Sequence, residues 1–230
     1  MSAYKRRSKK DEPELESVKI KHIKVTETNK YPTQGIKRDR DCLHLYTNGE
    51  IKVLTVDEYL KLKSAIPKDD YKIILDVLLI TGMRYIEVCR LYKNHEWYNE
   101  RRNLIHLPAE AQLKHERCQP ERTIQGLPEM FNLMMKMFFT GKKPPVESSW
   151  NRDLQRWAKL SNLNPYGISG KTSRKTCESW QIVAGVPETT VCLRSGHTTL
   201  VSMLHYQNLA FSDDEIRDIE KQLKGWGMLK

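Results

Sequence analysis

Several features that would assign this sequence to a common class of protein are missing from it. It has no apolar run able to span a bilayer: the longest, Ile73–Ile80, is broken by Asp76 and falls far short of the ~20 residues such a span requires. Cysteine is sparse and scattered, with Cys42, Cys89, Cys118, Cys177 and Cys192 forming no CxxC pair. An odd count without a secretory signal reads as reduced thiols rather than a disulfide framework. The basic stretch Ser2–Lys10 has no apolar segment behind it, so no signal peptide is expected. Gly170-Lys171-Thr172 looks like the end of a phosphate-binding loop. The first glycine of such a loop would fall on Pro165, and no strand precedes it, which argues against nucleotide hydrolysis. His115 and Cys118 have the spacing of half a zinc site, but no second half follows. The expectation is a soluble, intracellular chain that uses neither metal nor cofactor.

What is present in excess is positive charge. The chain has 230 residues, with 39 Lys and Arg against 29 Asp and Glu, a formal net charge of +10 and a sequence pI near 9.3. A polyanionic partner is implied. The charge is uneven. Arg152, Arg156, Lys159, Lys171, Arg174 and Lys175 face a single acidic residue, Asp153, within residues 152–175. Arg152, Arg156, Lys159 and Lys175 are therefore expected to contact DNA. Asp213–Glu220 is acidic, opposed only by Arg217, and suits a protein contact instead.

Three regions follow from the pattern. Residues 1–50 are polar and charged with little apolar periodicity and read as a flexible basic arm. Residues 51–212 are expected to form the globular domain that holds any catalytic chemistry, and residues 213–230 a tail helix suited to docking on another protein chain. Thr55-Val56-Asp57-Glu58 is a capping box with Leu54 and Tyr59 as its staple, opening a helix that stops at Pro67. Asp69 and Asp70 open a second helix ending at Gly82, and Arg84 stands on a third. Leu104–Leu107 and Thr123–Leu127 read as strands joined by a polar loop that holds Lys114. Helices are expected from Pro128 to Phe139 with Met130, Met134, Met135 and Met137 in the core, around Trp150, Leu154 and Trp157, and around Lys171, Arg174 and Trp180. Further helices are expected at Pro187–Leu193, at Thr199–Gln207 and from Asp213. The fold class is mainly α with a small antiparallel hairpin or sheet.

Six residues in a fixed order carry the chemistry: Arg84, Lys114, Lys171, Arg174, His197 and then Tyr206, nine positions after His197. Each alone is weak evidence. Together they suit a phosphodiester under attack by a tyrosine. Two guanidiniums can clamp its non-bridging oxygens bidentately, which a point-charge ammonium does not do. A lysine can protonate the departing 5′-oxygen. A tyrosine nucleophile stores the bond energy in a covalent phosphotyrosine, so cleavage is reversible without ATP or metal. Tyr166, near the basic helix, is the alternative nucleophile, and Arg117 the alternative to Lys114, although a guanidinium donates protons poorly.

The stretches TGMRYIEVCRL (81–91), KTSRKT (171–176) and SGHTTLVSMLHY (195–206) resemble the tyrosine recombinase (integrase) family of site-specific DNA recombinases, over residues 52–215. The resemblance implies a catalytic-domain-like fold in which Arg84 and Arg174 clamp the scissile phosphate. It implies that Lys114 is the general acid of the hairpin and that Lys171 assists proton transfer or orientation. His197 would hydrogen-bond the phosphate, Tyr206 would be the nucleophile, and Glu87 would buttress its helix without touching DNA. Ser195 stands where the family commonly has Leu. Lys171 replaces the commoner histidine, as in integrases of archaeal viruses and plasmids. The family works as a tetramer on two duplexes, which places the protein with DNA in the cytoplasm. The chain is expected to be close to a bare catalytic domain, because residues 1–50 are too few for the family's helical clamp. A type IB topoisomerase-like enzyme and a catalytically weak DNA-binding protein that needs a partner are the alternatives.

Overall fold

Thr55 begins the first helix by local chemistry. Its side-chain oxygen accepts from the Glu58 N–H at 3.2 Å, and the Glu58 carboxylate accepts from the Thr55 N–H at 3.0 Å. Such a cap contributes about 1 kcal/mol. The computed structural model describes residues 36–111, 121–199 and 209–229. Lys114, Arg117, His115, Cys118, Tyr206 and, but for its first residue, the helix expected at Thr199–Gln207 lie outside the described residues.

Helix α1 (Val56–Ser64) is followed by α2 (Asp69–Thr81) and α3 (Tyr85–Leu91). Asp69 and Asp70 sit in the first turn of α2, where acidic side chains complement the helix dipole. From Ile74 to Thr81 every residue of α2 is buried. A helix apolar on all sides belongs inside. The one charge in that run, Asp76, is met by the Tyr59 hydroxyl at 2.5 Å and Lys63 Nζ at 2.7 Å, so the break in the apolar run is a paired carboxylate.

A three-stranded antiparallel sheet, ordered β1 (Tyr98–Asn99), β2 (Leu104–Leu107), β3 (Arg122–Ile124), flanks the helices. Ile105 pairs with Ile124 and Leu107 with Arg122. Ile105, Leu107 and Ile124 are buried while His106 points outward, the alternation a half-buried strand requires. The third strand begins one residue earlier than expected and stops at Ile124. The two-residue β1 is an addition that no sequence pattern announced.

Helices α4 (Phe131–Thr140), α5 (Glu147–Leu160), α6 (Thr172–Val183) and α7 (Glu188–Ser195) follow. The buried α2 packs between α4 and α6. Trp150, Trp157 and Trp180 are fully buried, as expected of core residues. The methionines divide. Met134 and Met135 are buried, but Met130 and Met137 are 53% and 46% exposed, beside an exposed Leu133. Phe131, Met134, Met135 and Phe138 form the i, i+3, i+4, i+7 face that turns inward, which leaves 130, 133 and 137 on the other side. This corrects the assignment of all four methionines to the core.

Two further segments complete the body. Leu45, Tyr46, Ile51 and Val53 are buried, Tyr46 bridges to Lys52, and the Lys52 N–H donates to Gly167 O at 3.0 Å. That bond ties residues before α1 to the loop that leads into α6. The tail helix (Asp213–Gly225), capped by a Ser212–Glu215 box, buries Ile219 and Leu223. It packs against α1 and α6 of the same chain, and Trp226 lies within about 6 Å of the rings of Tyr59 and Trp180. No helix among the described residues is long and apolar enough to cross a membrane.

Candidate active site

The α2–α3 turn presents Arg84. Gly82 ends α2 in the left-handed region, with φ +64° and its N–H bonded to Leu78 O at 3.0 Å. A side chain there would be strained and would press on Cys177 Sγ. The chain reverses, Met83 is swallowed by the core, and Arg84 becomes the N-cap of α3. Glu87 accepts from the Arg84 backbone N–H at 2.7 Å and from Arg84 Nη1 at 2.8 Å. Arg122, from β3, reaches the same carboxylate with Nη2 at 2.7 Å and Nη1 at 3.1 Å. Burial opposes ionisation of Glu87, but Arg122, then Arg84 and Arg174, outweigh it and hold its carboxyl down at about 2.

Helix α6 supplies the second group. Lys171 is its N-cap and is exposed. Arg174 is nearly buried. Its Nη1 donates to Gly82 O at 2.8 Å, its Nη2 to Ser195 O at 2.6 Å, and its Nε meets Glu178 Oε1 at 3.0 Å. A guanidinium has five N–H donors, so at most two remain for a substrate oxygen. Lys175 Nζ lies 3.1 Å from Glu178 Oε2. Burial lowers the Lys175 pKa; Glu178 pulls it back up, and Arg174 and Arg84 push it further down.

His197 comes from the turn after α7. Gly196, with φ +70°, bonds back to Cys192 O at 2.8 Å, and the next residue leaves the helix toward α6. The His197 Nε2 is 3.2 Å from Glu178 Oε1 and its Nδ1 is 3.1 Å from Thr198 O. Both neighbours are acceptors only, so both contacts are hydrogen bonds in the imidazolium alone.

Arg84, Lys171, Arg174, Lys175 and His197 line one cavity of about 320 Å³, walled by Tyr85, Ile86, Gly170 and Glu147. Tyr85 is fixed there by stacking on Trp150 at 5.4 Å and by its hydroxyl bond to Pro145 O at 2.7 Å. Four of the six residues expected to carry chemistry therefore share one pocket. The other two, Lys114 and Tyr206, lie outside the described residues. Tyr166 is elsewhere: its hydroxyl bonds to Glu50 and its ring packs edge-on to Tyr46. The Glu50 bond raises its pKa, with burial adding to it, the opposite of what a nucleophile needs.

The four residues assigned to DNA contact separate in position. Arg152, Arg156 and Lys159 are exposed on α5, opposite the buried Trp150, Leu154 and Trp157. Lys175 is instead inside the pocket. Sequence reasoning misses two residues of the site. Glu178 has a readable signal, since 171, 174, 175 and 178 are spaced i, i+3, i+4, i+7 on one helical face. Arg122 has no local signal, because its partner Glu87 is on another element.

No family model matches the sequence, and no curated protein matches it. Solved structures do. One is the XerA recombinase, at 16% identity and a TM-score of 0.55, over 74% of this chain and 64% of that one. Another is the Tn1549 transposon integrase in complex with transposon right-end DNA, at 15% identity and a TM-score of 0.52, over 75% of this chain and 65% of that one. The chain spans a little under two thirds of the length of each. The chain has a tyrosine recombinase/integrase-like fold, which it shares with these two structures over about three quarters of its length.

Proposed function

We propose that this protein cleaves and rejoins double-stranded DNA as a site-specific tyrosine recombinase or integrase. The observation that carries the reading is the convergence of Arg84, Lys171, Arg174 and His197, from three separate stretches of sequence, on one cavity of about 320 Å³. Such a cationic pocket suits a single phosphodiester.

In this reading the Tyr206 hydroxyl gives up its proton to surrounding water, and its oxygen forms a bond to the scissile phosphorus while the bond from phosphorus to the 5′-oxygen breaks. The products are a 3′-phosphotyrosine and a 5′-hydroxyl that takes its proton from Lys114. Arg84, Arg174 and His197 stabilise the added charge on the non-bridging oxygens, and Lys171 assists proton transfer or orientation. Attack by a 5′-hydroxyl of another strand reverses the step and returns the tyrosine. Neither metal nor cofactor is needed. Recombination would take four protomers on two duplexes, with the protein at the DNA of the cytoplasm and its gene carried by a mobile element or virus.

Covalent trapping tests the proposal. The full chain is incubated with supercoiled and nicked DNA carrying candidate sites, denatured in SDS, and examined for a protein–DNA adduct. The expected adduct disappears in Tyr206→Phe. Its persistence in that variant would move the nucleophile elsewhere, and its absence from the wild type would leave a binding protein. Joined products between two DNA molecules would separate recombination from topoisomerase-like relaxation.

A further inference from the structure

The proposed mechanism leaves Glu178 without a role, and its placement is unusual for a site meant to take an anion. It lies on α6 with its side chain fully buried, beneath the cations of the pocket. One carboxylate oxygen takes Arg174 Nε at 3.0 Å and His197 Nε2 at 3.2 Å, and the other takes Lys175 Nζ at 3.1 Å. Burial favours the neutral acid, but Arg174, His197 and Lys175 prevail and hold the carboxyl well below the usual range.

An anion at this point opposes a phosphodiester by charge, so it works against ground-state binding. What it gives is direction. Arg174 and Lys175 are on α6, and His197 is on the turn after α7. Without the shared acceptor, the imidazole would lose the bond that ties it to α6. With it, three nitrogen-bearing side chains are held in one arrangement facing the cavity they line. Groups that stabilise a transition state act through fixed geometry, and a displacement near 1 Å costs about 10²-fold in rate.

We propose that Glu178 is a positioning residue, which orients Arg174, Lys175 and His197 as one unit toward the scissile phosphate at the expense of ground-state affinity for DNA. This rests on the DNA-cleaving reading. Glu178 itself touches no substrate.

The test uses the full chain with a DNA duplex selected by the trapping experiment, and measures equilibrium binding and single-turnover cleavage separately. In Glu178→Gln, the dissociation constant stays equal or tightens by up to about threefold, because an opposing charge is gone. The cleavage rate falls roughly 10–100-fold. Glu178→Asp, which keeps the charge and withdraws it by one methylene, has a rate between the two. Cleavage at the wild-type rate in Glu178→Gln overturns the inference. So does a parallel loss of binding and cleavage, the mark of a merely structural residue. If thermal melting shows both variants unfolded, Glu178 serves stability and the inference is likewise overturned. Absence of an adduct from the wild type is a different result, which sinks the DNA-cleaving reading itself.

Discussion

Arg174 Nη1 donates to the carbonyl oxygen of Gly82 at 2.8 Å, across 92 positions of sequence. With the companion bond to Ser195 O, one guanidinium braces both turns that deliver the other pocket residues: Gly82 precedes Arg84 by two positions and Ser195 precedes His197 by two. Arg174 is thus both a cation of the pocket and the brace that sets its width.

That double duty makes lysine a poor replacement. A single ammonium on a flexible stem does not reach two carbonyls and a carboxylate in a planar fork. Arg174→Lys and Arg174→Ala are both expected to lower single-turnover cleavage by about 10²–10³-fold, with bulk DNA binding reduced less than tenfold. Equal losses of binding and cleavage would show that Arg174 merely holds backbone phosphate.

The Glu87 carboxylate gives a prediction about acid. Its folded pKa is about 2, against an ordinary 4.5. The stabilisation is therefore complete above about pH 4.5 and is lost as pH falls toward 2. Urea unfolding followed from pH 6 to 2 should show that loss, on the order of 3 kcal/mol from this group. In Glu87→Gln the corresponding part of the slope should vanish, and at neutral pH that variant should be less stable by about 3–5 kcal/mol, since Arg122 is left buried without its counter-charge.

The elements that were legible in the sequence are those whose cause is local. The Thr55–Glu58 capping box, the apolar run of α2 and its stop at Gly82 all act within a few residues, and each is found where the pattern puts it. The strand β1 was not legible, because two residues give no alternation to read. The ion pair of Arg122 with Glu87 was not legible either. It joins a strand to a helix 35 positions away, and only the packing of the folded chain brings the two together. The inward turn of Lys175 lies between these cases. Composition groups it with Arg152, Arg156 and Lys159, and only the helical phase of α6 separates it from them.

Those three exposed cations on α5 should behave as backbone contacts. Replacing Arg152, Arg156 and Lys159 with alanine is expected to weaken DNA binding across sequences. The slope of log affinity against log salt should shallow by up to ~0.9 for each phosphate no longer neutralised. The cleavage rate of DNA already bound should stay within about twofold, since the burial of Trp150, Leu154 and Trp157 on the opposite face of the helix is untouched.

Gly196 offers a backbone test of the same site. Its φ of +70° is one that side-chain-bearing residues rarely adopt, and an added Cβ would sit 3.0 Å from Arg122 Cδ. Gly196→Ala should cost about 1–2 kcal/mol in stability and depress cleavage more than binding, because the strain falls between Arg122 and His197. Thermal melting paired with single-turnover kinetics measures both.

The sharing of Glu87 by Arg84 and Arg122 also constrains how such a protein diverges. Loss of Glu87 strands the buried Arg122, and loss of Arg122 leaves the buried carboxylate to the half-buried Arg84 alone, so single steps at these two positions are costly until a second change repairs them. Across descendants the three positions would drift as a linked set or stay fixed. The same coupling makes the effects of their substitutions strongly non-additive. An arginine that lines the pocket and an arginine buried behind it have become one heritable character.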